Sequence, residues 1–126
     1  MEYADKRYAF FRDLNFILNY CNRFRLYLAL CNDDSFVKES HNIILNEYNK
    51  SVQWLSFPSD NRFLFSFLEN TIDSSKVTVV NGLKDNIDID TVLATMNVIR
   101  ETFYKFNLPI ILWVDESIMA KFIKIA

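Results

Sequence analysis

The stretch that decides the fold is Phe24-Arg25-Leu26-Tyr27-Leu28-Ala29-Leu30-Cys31-Asn32-Asp33-Asp34-Ser35, an apolar run that ends in a polar turn rich in helix caps. Residues 24–30 are short and apolar enough for a buried strand. Cys31 to Ser35 read as a turn, with Asp and Ser suited to start a helix. Working outward, Ala4, Tyr8, Phe11, Leu14, Leu18 and Cys21 step by three and four, the spacing of one helix face. Downstream, a helix is expected from about Ser35 to Lys50, with Val37, His41, Ile44, Leu45 and Tyr48 on its inner side.

The alternation continues. Val52 to Phe57 is the second strand. Pro58-Ser59-Asp60 breaks it and caps a helix striped by Phe63, Leu64, Phe67, Leu68 and Ile72. Lys76 to Val80 is β-branched, the third strand, and Asn81-Gly82-Leu83 ends it. Asp88 or Asp90 caps what reads as the longest helix, with Val92, Met96, Ile99, Phe103 and Phe106 on its face. Pro109 stops helical continuation, and Ile110 to Val114 is the fourth strand. Asp115 caps a last helix through Ile118, Met119, Phe122, Ile123 and Ala126. Apolar strands separated by helices imply an α/β fold, a three-layer α-β-α arrangement around a mostly parallel four-stranded sheet. An unfinished edge is expected after Val114.

At 126 residues, residues 1–126 fit a single α/β domain. The net charge is −2 and the basic residues are scattered, which argues against a nucleic-acid partner. No apolar run reaches the ~18–20 residues that span a bilayer, so no membrane partner is expected. The N-terminus lacks the pattern of a signal peptide, giving a cytoplasmic expectation, which in turn makes Cys21 and Cys31 reduced thiols. The last helix runs to Ala126 without a C-cap signal, which suggests the N-terminal part of a longer multidomain protein.

In an open parallel sheet, ligands sit beyond the carboxyl ends of the strands. That limits the search to Cys31–Ser35, Pro58–Asn61, Asn81–Lys84 and Asp115–Ser117. A phosphate loop needs glycines, and usually a lysine. The chain has a single glycine, Gly82. The first loop instead offers Asp33 and Asp34, which repel an anion. If a nucleotide binds at all, the residues to hold it are Asn32, Asp33, Asp34, Ser35 and Asn81. Asp33 and Asp34 also resemble the acidic pair of a receiver domain, but Asn81 stands where that fold needs an acid.

His41 is the single histidine, on or beside an apolar helix face. It has no second histidine or triad partner. One histidine and two cysteines ten residues apart do not make a zinc site. Trp54 and Trp113 lie within strands and read as packing residues; Arg100 and Glu101, beside the apolar stripe of the long helix, read as residues with a surface or rim ion-pair role. No catalytic residue, metal or cofactor is expected.

The stretch Leu93 to Phe103 (LATMNVIRETF), then Leu108 to Val114 (LPIILWV), then Ile118, Lys121-Phe122-Ile123 and Ala126, resembles a recurrent bacterial block. It is similar to the N-terminal α/β domain of large proteins, common in cyanobacteria, that continue into tetratricopeptide repeats or related signalling arrays. That domain looks like a degenerate relative of the AAA/STAND NTPases. The resemblance implies a P-loop-NTPase-like topology without a phosphate loop. In working relatives, strand one leads to the phosphate loop, and strand three ends in an Asp-Gly-Leu-Asp type motif that holds magnesium. Here the corresponding segments are Cys31-Asn32-Asp33-Asp34 and Asn81-Gly82-Leu83-Lys84. The resemblance therefore implies a non-catalytic pseudo-NTPase module that contacts a protein partner or its own downstream repeats. The alternatives are a weak nucleotide-binding switch for ATP or ADP and a receiver-like phospho-acceptor domain.

Overall fold

The four apolar runs become strands β1 (Arg25–Leu30), β2 (Val52–Ser56), β3 (Val77–Asn81) and β4 (Pro109–Val114) in the computed structural model, which describes residues 2–125 and the side chains of 8–124. They form one sheet in the order β1-β4-β3-β2, and every pair is parallel. The most continuously apolar runs lie inside, because only a central parallel strand is covered on both faces. All of β4 is buried, as are residues 77–80 of β3, while β1 and β2 form the partly exposed edges. The expected open edge after Val114 is thus corrected. Val114 ends a central strand, and the open edge is β1.

Helices cover both faces, giving the three-layer α-β-α arrangement. On one face α1 (Glu2–Tyr20) and α2 (Asp34–Glu47) pack Leu14, Ile17, Phe36 and Ile44 against Val77, Val79, Ile111 and Trp113. On the other, α3 (Leu64–Thr71), α4 (Ile89–Val98) and α5 (Glu116–Ile125) pack Leu68, Val92, Leu93 and Ile118 against Val80, Ile110, Leu112 and Val114. Odd and even residues of β4 therefore serve opposite cores, the period-two rule of a pleated strand.

Chain direction in the sheet reverses once. From β1 the chain crosses to the far edge at β2, then steps back through β3 to β4. Right-handed crossovers put the helices of the outward and returning steps on opposite faces. The reversal leaves a crevice at the carboxyl ends of β1 and β4, where open α/β sheets hold ligands. A receiver has β1 between β2 and β3. Among the described residues β1 pairs with no strand but β4, so this sheet does not have a receiver's order.

Several local expectations shift. The longest helix is α1 and not the one starting at Asp88. That helix stops at Val98 and continues as a 3₁₀ segment over Arg100–Lys105, with Thr102 N–H donating to Ile99 O at 2.8 Å. Three residues per turn align Phe103 with Phe106, and both rings reach the core. Asp60 does not cap α3. The helix starts after Phe63, whose N–H donates to Asn61 Oδ1 at 2.8 Å. The Pro58–Arg62 segment is held instead by Asn86, whose side chain donates to Asn61 O at 2.8 Å. The inner face of α1 carries Phe10, Leu14 and Ile17, whereas Tyr8 points to solvent. On α2 the buried residues are Phe36, Ser40 and Ile44, and Leu45 is exposed. Ala4 and Ala126 lie outside the residues whose side chains are described.

Candidate functional site

The crevice is built first by β1 and its neighbour. Cys31 N–H donates to Val114 O at 2.9 Å, so the two strands separate only beyond this point. The chain then turns through Asn32 and Asp33 into α2. Asp33 N–H donates to Cys31 Sγ at 3.3 Å, which folds the thiol over the turn. The Asp33 carboxylate accepts from Ser35 N–H at 2.9 Å and from Phe36 N–H at 3.4 Å. These are first-turn amides that an anion would have to engage. A carboxylate of the same chain already holds them.

The second helix entering the crevice is closed in the same way. Asp115 Oδ1 accepts from Ile118 N–H at 2.8 Å, the cap expected for α5. Asn32 reaches across, and its Oδ1 accepts from Glu116 N–H at 3.1 Å. One residue of the β1 loop thus ties down the start of the helix after β4.

The third contributor comes from β3. Gly82 has φ +106°, in the left-handed region, and a Cβ there would stand 2.5 Å from Phe57 O. The lone glycine therefore occupies a position that no other residue fits without strain. It turns the chain into a 3₁₀ segment, Leu83–Asp85, anchored by fully buried Leu83. Lys84 then extends over the end of β4, and its Nζ donates to Asp34 Oδ1 at 2.6 Å. The Lys84 ammonium holds the Asp34 carboxyl below its ordinary range, by hydrogen bond first and charge second. In return Asp34 raises the Lys84 ammonium, with smaller contributions from Asp85 and Asp115. Both groups are solvated, so the pair positions the loops more than it stabilises the fold.

Asn32, Asp33, Asp34 and Ser35 are thus brought together at the crevice. Asn81 stands apart. Its carbonyl accepts from Phe57 N–H at 2.7 Å on the β2 side, and among the described residues its side chain makes no bond to the β1 loop. What the sequence concealed is the pairing: Asp34 with Lys84, fifty residues on, and Asn32 with Glu116. Position at a strand end was the available signal, but side-chain reach was not.

The other singled-out residues lie elsewhere. His41 stacks on Trp54 with ring centroids 4.4 Å apart, and partial burial lowers its pKa. Trp113 is buried between Phe10 and Phe36, and among the described residues its Nε1 has no hydrogen-bond partner. Cys21 and Cys31 are free thiols, and Cys21 Sγ lies 3.1 Å from the Tyr27 hydroxyl. Arg100 and Glu101 are both exposed, in keeping with the surface reading, and form no ion pair among the described residues. They line a hollow of about 470 Å³ with Phe24, Leu26, Tyr104 and Phe122. Among the described residues no group of His, Cys, Asp and Glu could hold a metal ion, and no helix is long and apolar enough to cross a membrane. No protein-family model matches the chain, no curated protein matches it, and no solved structure matches it.

Proposed function

We propose that this chain is a non-catalytic, pseudo-NTPase-like α/β module acting in protein interaction or signalling scaffolding. Its partner is another protein or a repeat domain of the same polypeptide. One observation carries the reading: the Ser35 and Phe36 amides at the start of α2 are already hydrogen-bonded to Asp33, and the Glu116 and Ile118 amides at the start of α5 to Asn32 and Asp115. A phosphate would have to displace two carboxylates and then sit among Asp34, Asp85 and Glu116. Like charge at that range opposes binding. The residue best suited to attract a phosphate, Lys84, is paired with Asp34 at 2.6 Å.

The sheet order supports the same reading. It sets the ends of strands one and three on either side of strand four, close enough for Lys84 to meet Asp34. In a working NTPase of the family that this chain resembles, those two ends carry phosphate and magnesium chemistry together. Here they carry an ion pair. The receiver-like alternative has the strand order against it.

Thermal unfolding with and without magnesium and ATP tests the reading. A ligand at a hundred times its Kd stabilises the folded state by ~2.7 kcal/mol. In a domain of this size that is a shift of roughly 6–15 °C. No shift with ATP, ADP or GTP is expected. A shift that saturates with any of them overturns the proposal.

A further inference from the structure

The outer edge of β1 carries the inference. In a parallel strand the N–H and C=O of one residue point the same way, and successive residues alternate. Cys31 N–H bonds to β4, so Arg25, Tyr27 and Ala29 also direct their main chain to β4. The N–H and C=O groups of Leu26, Leu28 and Leu30 therefore point outward. Among the described residues none of them has a partner. Natural edge strands are normally blunted by proline, bulges or central charges. β1 has neither proline nor bulge, and its one charged residue, Arg25, stands at its first position. The opposite edge is partly closed, since Val52 N–H donates to Tyr48 O at 2.9 Å.

Two features choose the occupant. Leu26 and Leu30 are 39 % and 52 % exposed, symmetrically placed about Leu28 on the α4–α5 side of the sheet. Charge is also distributed antisymmetrically. Arg23 and Arg25 precede the strand centre, whereas Asp33 and Asp34 follow it. Arg23 is exposed and has no ion-pair partner among the described residues. A strand with basic residues at one end and acidic residues at the other complements itself when reversed.

We propose that β1 is a self-association edge, where a second copy of this chain adds its own β1 antiparallel across a two-fold axis at Leu28. Only residues whose main chains both face outward can form bonded pairs, which restricts the register. With Leu28 opposite Leu28, each Leu26 meets the other copy's Leu30. All three outward-facing residues then find partners within the strand, and the exposed leucines cover each other. The same register sets Arg23 opposite Asp33. The neighbouring registers push Leu26 or Leu30 against a residue outside β1. The product is one continuous eight-stranded sheet, closed by symmetry. This rests on the interaction-module reading, and it names the partner as a second copy.

Sedimentation equilibrium over a range of concentrations tests it, together with two variants. The native chain is expected to dimerise reversibly, and more weakly at high salt. Leu30→Pro removes an N–H that serves no bond in the monomer and is expected to weaken the dimer at least tenfold. The double variant Leu26→Cys/Leu30→Cys is expected to form disulfide-linked dimers that the native chain, with Cys21 and Cys31 alone, does not. Bonded antiparallel pairs stand ~5.5 Å apart at Cα, within disulfide reach. A monomer at every concentration overturns the proposal, including one whose Leu26, Leu28 and Leu30 amides are protected by another segment of the chain. So does a dimer that Leu30→Pro leaves unchanged, or one that the cysteine pair fails to link. ATP binding by an intact dimer would sink the functional reading alone.

Discussion

Replacing Gly82 with alanine is the substitution whose cost can be worked from the geometry. At φ +106° an alanine sits in the left-handed region, at a cost of about 1–2 kcal/mol. Its Cβ would also stand 2.5 Å from Phe57 O, a backbone atom that cannot rotate away. Phe57 has to shift, and its N–H donates to Asn81 O at 2.7 Å, the last bond between β2 and β3. Weakening one such bond costs about 1 kcal/mol. The stiffer unfolded chain offsets roughly 0.4–1 kcal/mol of this. The net expectation is a loss of about 1–2.6 kcal/mol, a sizeable share of the ~5–15 kcal/mol that holds a typical domain folded. Urea unfolding followed by circular dichroism measures it, with the denaturant slope expected unchanged. Gly82→Asn separates the causes, because asparagine tolerates the left-handed region but still carries the Cβ; it is expected to recover only part of the loss. An alanine variant within about 0.5 kcal/mol of native, the range of an ordinary surface change, would falsify the assigned role.

Removing the α2 cap with Asp33→Ala is expected to cost about 1 kcal/mol, read by the same urea midpoint; no loss would mean that Ser35 and Phe36 do not rely on it. Lys84→Ala is expected to return the Asp34 carboxyl toward its ordinary pKa, read by carbon-detected NMR titration. With the Asp34 pKa lowered in the folded state, its small contribution is present above the unfolded carboxylate pKa and fades as pH falls through the folded one; an unchanged titration denies the pair in solution. His41 has its pKa lowered by burial against Trp54, so the unfolded chain takes up the proton first. Stability is therefore full above an unfolded histidine pKa of about 6.5 and falls as pH drops below it, and His41→Gln is expected to flatten that slope. Leu112→Ala, at a fully buried site in the central strand, is expected to lose about 2–5 kcal/mol; a smaller loss would place β4 outside the sheet centre.

Local chemistry made much of this legible. The apolar runs at Leu26–Leu30 and Ile110–Val114 read as strands because buried parallel strands have no polar face. Asp33, Asp88 and Asp115 read as caps because their side chains compete for free helix amides, and the structure bonds each to its helix. Strand order was not legible, since no local pattern states which strand becomes central; Val114 was therefore given the open edge that belongs to β1. The 3₁₀ segment after Val98 was hidden because Ile99, Phe103 and Phe106 satisfy helical spacing almost equally well. At the crevice the loop composition was readable, but the bonds were not. Lys84 and Asp34 meet only because β1 and β3 both flank β4. Asn81, one residue before the turning glycine, instead accepts from Phe57 N–H on the β2 side.

The most direct measurement is an amide NMR titration of the chain with magnesium and ATP, watching Ser35, Phe36, Lys84 and Glu116. Their resonances are expected to stay in place, because the Ser35, Phe36 and Glu116 amides already have partners, the Lys84 ammonium is paired with Asp34, and the nearby carboxylates repel phosphate. Saturable, concerted shifts of those four resonances would contradict the reading and make this crevice a nucleotide site.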